Sequence, residues 1–231
     1  NAILMLVTCV DCSSAVHTRN DLTEIEKEVC LSTAKFEDFI SEFLNRTFRM
    51  IDTLSTEMSD AVILTNEANS EDQEASQELT SMISGIVQQC SNKIFQMIRE
   101  KITNFLAASS FSPKISKLVN GLVRAILKGN PEETLKYLLP QTCERIEKIM
   151  SNSETTILTD HKGDPELTWC LILFSELVRA RGDTLLMYKP MILSIFHRCV
   201  HIIHKESYEA VANAAKNLLK SLSYVYPIEY R

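Results

Sequence analysis

The chain has 231 residues, of which 45% are hydrophobic and 23% charged, with a net charge of −6 and a mean hydropathy near zero. That length and balance support a sizeable buried core and exclude a chain disordered throughout. Only 5 Gly and 6 Pro leave few turns, which excludes a many-stranded β fold and predicts an all-α chain.

The apolar start, Ala2 to Val10, is too short to span a bilayer and lacks the basic flank and cleavage site of a signal peptide. Residues 2–16 read as one helix. A first residue Asn in place of Met adds the expectation that the sequence starts inside a helix of a larger protein. Asp21 is placed to cap a second helix carrying Leu22, Ile25 and Val29. Phe36, Phe39, Ile40, Phe43, Leu44, Phe48, Ile51 and Leu54 then recur at steps of three and four, an aromatic-rich stripe expected to face a core.

From Arg49 to Lys93 no basic residue intervenes while acids accumulate, so residues 56–75 are expected to form an exposed, mobile acidic loop. A long helix is predicted from Ser76 to Ala108, continuous past Gly85 because one glycine costs only about 1 kcal/mol. The second half is punctuated by Ser112-Pro113, Asn130-Pro131 and Asp164-Pro165, each a capping side chain before a proline at the first helical position. Glu133 is placed for a box-like contact with Asn130, and Gly129 and Gly182 are expected to stop helices through a left-handed backbone. The predicted helices are 113–128, 131–152 with a kink or restart at Pro140, 165–181, 184–204 with one at Pro190, and 206–223.

One pattern occurs twice. Val123-Arg124-Ala125, Gly129, Leu135, Tyr137 and Pro140 reappear in order as Val178-Arg179-Ala180, Gly182, Leu185, Tyr188 and Pro190, about fifty residues on. Each copy falls where one helical pattern ends and the next begins, so the unit is a helix pair and the expected architecture is an α-solenoid of HEAT-like antiparallel pairs. A single solenoid segment over 1–231 follows.

The side chains that carry chemistry form no catalytic, cofactor-binding or metal-ligating set. Seven cysteines, an odd number scattered through helical patterns, predict a reducing compartment, and the sequon Asn45-Arg46-Thr47 inside a helix reads as chance. His197, His201 and His204 would share a face about 60° wide on one helix, yet they lack a fourth ligand and an accompanying general base. Cys9-Val10-Asp11-Cys12 is a lone pair without a second, and the polar loop Asp160-His161-Lys162-Gly163-Asp164 has no nucleophile elbow beside it. Lys114, Lys117, Arg124 and Lys128 lie within about 80° on the 113–128 helix as a basic stripe. A solvated helix exterior is its ordinary account. Its functional account is a surface for an anionic, phosphate-bearing ligand or an acidic partner, with single-stranded nucleic acid disfavoured for want of interleaved aromatics.

Several runs carry a resemblance: Arg19-Asn20-Asp21-Leu22-Thr23-Glu24, Phe36-Glu37-Asp38-Phe39, Asn130-Pro131-Glu132-Glu133-Thr134-Leu135-Lys136, Ser175-Glu176-Leu177 and Tyr226-Pro227-Ile228-Glu229-Tyr230. Over nearly its whole length the chain resembles the large HEAT-repeat proteasome activators. The resemblance implies an internal wall section of a much longer α-solenoid that forms a dome over the proteasome core particle. It also implies gate opening without ATP or ubiquitin, degradation of peptides and acetylated histones, and residence in nucleus and cytosol with roles in DNA repair and sperm development. Inositol phosphates are implied for the whole protein, though not residue by residue for the basic stripe. The C-terminal hydrophobic-Tyr-any docking tail of such proteins is not matched by Glu229-Tyr230-Arg231. Two other readings of the residues are a helical-repeat adaptor of the transport-receptor type, binding a protein cargo, and a histidine-dependent metalloenzyme fragment.

Overall fold

A computed structural model describes residues 20–33, 36–60, 71–90, 92–108, 113–159 and 163–225. All regular structure among them is helical. The predicted 2–16 helix, Cys9, Cys12, Ser112, most of the 160–164 loop and Tyr226–Arg231 lie outside the described residues. The chain divides into two compact units, one up to Ser109 and one from Ser110, where the sequence predicts one segment.

In the first unit, α1 (Glu24–Thr33) is opened by a capping box on Thr23 rather than by Asp21. The Thr23 hydroxyl accepts from the Glu26 N–H at 3.3 Å, and the Thr23 N–H donates back to the Glu26 carboxylate at 2.8 Å. Helix α2 (Phe36–Asp60) buries Ile40, Leu44, Thr47 and Ile51, so the core edge of the predicted stripe is its aliphatic part. Phe39 stands exposed, whereas Phe48 stacks on Phe105 at 4.3 Å. The Thr47 hydroxyl donates to the Phe43 carbonyl at 2.9 Å, which satisfies the buried third residue of the sequon within its own helix.

Helix α2 reaches Asp60 and α3 (Glu71–Gln89) begins ahead of residue 75, so helix occupies both ends of the predicted acidic loop. Residues 61–70, between them, are not described. The predicted 76–108 helix is two helices. Gly85 does not interrupt it; α3 ends at Gln89, where the Cys90 thiol turns back to the Val87 carbonyl at 3.7 Å, and the next helix is α4 (Asn92–Ala108). A Cβ on Gly85 would meet nothing within 4 Å. Gly85→Ala is therefore expected to raise stability by about 0.5–1 kcal/mol, seen as a higher thermal midpoint.

Helices α2 and α4 pack side by side at a constant offset. Lys93 pairs with Glu37 at 2.6 Å and Lys101 donates to Asn45 at 2.9 Å, each across 56 residues. A constant offset means that the two helices run parallel, as corresponding helices of successive repeats do.

The second unit shows the same arithmetic. It contains α5 (Pro113–Gly129), α6 (Pro131–Thr159), α7 (Pro165–Leu177), the short α8 (Gly182–Leu185), a 3₁₀ turn (Leu186–Tyr188), α9 (Lys189–Cys199) and α10 (Lys205–Val225). Ser194 donates to Glu147 and Arg198 to Ser151, both across 47 residues, so α6 and α9 are parallel. Thr168 meets Ser207, Asn217 donates to Ser175 and Ser221 to Val178, at offsets of 39, 42 and 43, so α7 and α10 are parallel. Helix α7 also packs on α5 and α6, around a core centred on Trp169, Phe174, Leu122, Ile126 and Leu135. Parallel corresponding helices at a fixed offset fit the all-α solenoid expected of the sequence.

The caps at Asn130 and Asp164 form as predicted. Asn130 Oδ1 accepts from the Glu133 N–H at 3.1 Å, and Asp164 Oδ1 from the Leu167 N–H at 2.8 Å. Several boundaries differ. Helix α6 runs unbroken through Pro140 to Thr159, seven residues past its predicted end, because Leu135, Leu138 and Leu139 before the proline and Cys143, Ile146 and Met150 after it are all buried. Such burial offsets the roughly 3 kcal/mol that an interior proline costs. At Pro190 the chain does restart, after the 3₁₀ turn. Helix α7 stops at Leu177, four residues short of the predicted 181, and α9 stops at Cys199, five short of 204. Gly129 ends α5 as predicted, though not through a left-handed backbone, and Gly182 opens α8 instead of stopping a helix; the positive φ among the described glycines belongs to Gly163, at 70°.

Candidate functional site

The twin pattern meets itself at one carboxylate. Helix α7 is apolar on nearly every side beyond its first turn, and Glu176 is the acid buried near its end, its side chain only 8% exposed. A buried carboxylate needs partners. Both arginines of the repeated Val-Arg-Ala triplet supply them. Arg124 reaches from α5 with Nε on one Glu176 oxygen and Nη2 on the other, the latter at 2.7 Å, and Arg179 adds Nη1 at 3.3 Å to each oxygen. The flanking Val123, Ala125, Val178 and Ala180 are buried, so the triplets hold their arginines from packed backbone. The Glu176 hydrogen bond holds the Arg124 guanidinium above its ordinary pKa, against partial burial.

The two copies differ in setting. Val123 lies within α5, whereas Val178 caps α7 and starts the turn to α8. That turn carries the close approach of the unit: a Cβ on Gly182 would stand 2.8 Å from the Ser221 carbonyl oxygen and 3.2 Å from the Leu222 Cα of α10.

Beside the turn is a cavity of about 420 Å³, lined by Arg179, Arg181, Gly182, Asn217, Lys220 and Tyr224 among others. Two of its three cations are engaged, Arg179 on Glu176 and Arg181 on Asp183 at 2.6 Å. The Arg181 hydrogen bond holds the Asp183 carboxyl below its usual range. A more open groove of about 750 Å³ lies between the start of α6 and the α8 region, lined by Glu132, Glu133, Lys136, Arg181, Asp183, Met187 and Tyr188. Burial pushes the Tyr188 phenol up, with Glu132 and Glu133 adding to the effect.

Of the sequence-predicted basic stripe, Arg124 is committed to Glu176, and Lys128 stands exposed in the last turn of α5, where a cation suits the helix dipole. Lys114 and Lys117 lie on the first turns of α5, with side chains outside the described set. The three histidines do not share a helix face, because α9 ends before His201 and His204. His204 instead meets Ser207 at 2.9 Å and lies against Gly163. Among the described residues no group of three or more His, Cys, Asp or Glu is placed to hold a metal ion, and no helix is long and apolar enough to cross a membrane.

The buried cysteines belong to packing. Burial pushes the thiols of Cys143 and Cys199 up to about 12 and that of Cys170 to about 11. A folded-state value above the unfolded one, which is about 8.5, keeps its stabilisation below that value and loses it as pH rises through the folded one. Unfolding is thus expected to become easier from about pH 9 upward, and less so in a Cys143→Ala, Cys199→Ala variant. Urea melts at pH 7.5 and 10 check this, and a pH effect unchanged in the variant contradicts it.

The family model for proteasome activator complex subunit 4, mid HEAT repeats region, matches residues 10–231. The chain belongs to this family. Relatives named proteasome activator complex subunit 4 are 38% identical in Xenopus laevis and 36% in Homo sapiens, and one named subunit 4B in Danio rerio is 34% identical. Each alignment covers 226 residues, 97% of this chain and 12% of the relative. The chain therefore spans about an eighth of the length of these subunit 4 proteins. The pairing of Glu176 with the two repeated arginines is what sequence reasoning missed in this mid-HEAT region. The available signal was a lone acid in the apolar run Leu171–Val178, together with an arginine repeated between buried residues.

Proposed function

We propose that this chain is a non-enzymatic wall section of an ATP- and ubiquitin-independent proteasome activator that caps the core particle and promotes degradation of peptides and acetylated histones. The match to the subunit 4 mid-HEAT region over 97% of the chain carries this reading. The structure supports a scaffold role: its polar contacts lock parallel helices in register, and the Ser207 hydroxyl that meets His204 is buried and shared with Thr168 between α7 and α10. Nuclear and cytosolic residence, DNA repair and sperm development belong to the same reading.

The test is made on the full-length polypeptide that carries this segment. It should co-purify with core particle, speed hydrolysis of fluorogenic peptides without ATP, and favour acetylated over unmodified histones. Failure to bind or stimulate the core particle overturns the reading in favour of a cargo adaptor. Inositol phosphates are proposed as ligands of the whole protein. Titration with inositol hexaphosphate after Lys117→Glu and Lys128→Glu decides whether the basic stripe takes part; Arg124 is a poor choice there, since reversing it also strips Glu176 of its partner.

A further inference from the structure

The cavity beside the turn from α7 to α8 is lined by cations whose acidic partners lie outside it. Arg179 and Arg181 enter it from the turn and Lys220 from α10, while neither Glu176 nor Asp183 is among its lining residues. The three cations are held to different degrees. Lys220 is exposed and pairs with no acid among the described residues. Arg181 spends Nε and Nη2 on Asp183, at 3.2 and 2.6 Å, which leaves Nη1 of its fork. Arg179 meets both Glu176 oxygens through Nη1 alone, at 3.3 Å, whereas Arg124 holds the same carboxylate through Nε and Nη2, the latter at 2.7 Å. Arg179 is therefore free to turn into the cavity without leaving Glu176 unneutralised, because the shorter Arg124 pair stays.

We propose that this cavity binds a phosphorylated serine or threonine side chain of a partner protein, with Lys220, Arg179 and Arg181 on the phosphate. Charge and surface choose that ligand. A phosphomonoester carries about −1.5 to −2 charge and three acceptor oxygens, which suit an unspent lysine, a releasable arginine and a spare Nη1. An inositol polyphosphate carries several such groups and no apolar surface, so most of its charge would go unpaired here. The rest of the lining includes Ala180, Val225 and Tyr224, the last 77% exposed, which suit the apolar neighbours of a phosphorylated residue in a peptide. Asn217 spends Nδ2 on the Ser175 carbonyl at 2.9 Å and keeps Oδ1 to accept a peptide N–H. The inference does not rest on the proteasome reading, so either can fail without the other.

Fluorescence anisotropy of the full-length polypeptide with a short labelled peptide, carrying one phosphoserine between leucines, tests it against the unphosphorylated peptide. The phosphorylated form should bind about tenfold or more tightly, and Lys220→Glu should remove that difference. Lys220 is exposed, so this change leaves the fold intact, and Lys128→Glu, exposed on α5, reports general electrostatic attraction. Glu176→Gln, outside the cavity, should strengthen phosphopeptide binding several-fold by freeing Arg179. Equal affinity for the two peptides, or equal losses in Lys220→Glu and Lys128→Glu, overturns the proposal. So does phosphopeptide binding that Glu176→Gln leaves unchanged. Inositol hexaphosphate binding that Lys220→Glu abolishes, without phosphopeptide binding, makes the polyphosphate the occupant and also overturns it.

Discussion

Arg124→Ala is expected to cost roughly 2–4 kcal/mol, and more than Glu176→Gln at about 1 kcal/mol, although both changes break the same ion pair. The asymmetry follows from burial. The Glu176 side chain is 8% exposed while that of Arg124 is 49% exposed and that of Arg179 41%. Losing Arg124 leaves a buried carboxylate with only the longer 3.3 Å contacts to Arg179. Removing the charge of Glu176 leaves two arginines that can turn into water, where a freed cation costs little. Replacing both partners by apolar groups, as Arg124→Met with Glu176→Leu, should recover much of the loss, because the pair's own desolvation disappears with it. Urea unfolding of the three variants, with hydrogen exchange in α5 and α7 to place the effect, checks this. Equal costs for the two single changes would remove the buried charge as the cause.

Gly182→Ala is expected to destabilise the second unit by about 1–3 kcal/mol, and Gly182→Val by more. The obstacle is mainly backbone: an added Cβ would stand 2.8 Å from the Ser221 carbonyl oxygen, 3.0 Å from the Val225 side chain and 3.2 Å from the Leu222 Cα. A side-chain tip could swing away, but a helix backbone moves only if α10 shifts on α7, and that contact is held by the Thr168–Ser207 and Asn217–Ser175 hydrogen bonds. The effect should appear as faster amide exchange in α10 with α6 unchanged. An unperturbed Gly182→Val would show that the α8–α10 approach does not bear on stability.

Helix existence was legible because periodicity is a local property. Pro113, Pro131 and Pro165 mark first helical positions, and the side chains of Asn130 and Asp164 cap as their residue types predict. Boundaries were less legible where local preference competed with burial. Pro140 continues a helix and Pro190 restarts one, and the two differ in the packing around them and not in their chemistry. The glycines mislead for a related reason: Gly182 was read as a left-handed stop, yet its role is to let two backbones approach. The candidate site was half legible. The repeated arginine could be seen, but its purpose depends on a carboxylate 52 residues away from Arg124 in sequence.

The sequence by itself determined the class, the helix pair as the unit and the lineage, since all three rest on spacing and residue order along the chain. Only the tertiary structure decided that repeated helices run parallel at offsets of 56, 47 and 39 to 43 residues, because register is a relation between distant segments. It alone showed why the Val-Arg-Ala triplet recurs. A carboxylate in a low-dielectric core must be neutralised by whatever cations the fold brings within reach, and here both copies of the triplet arrive at Glu176.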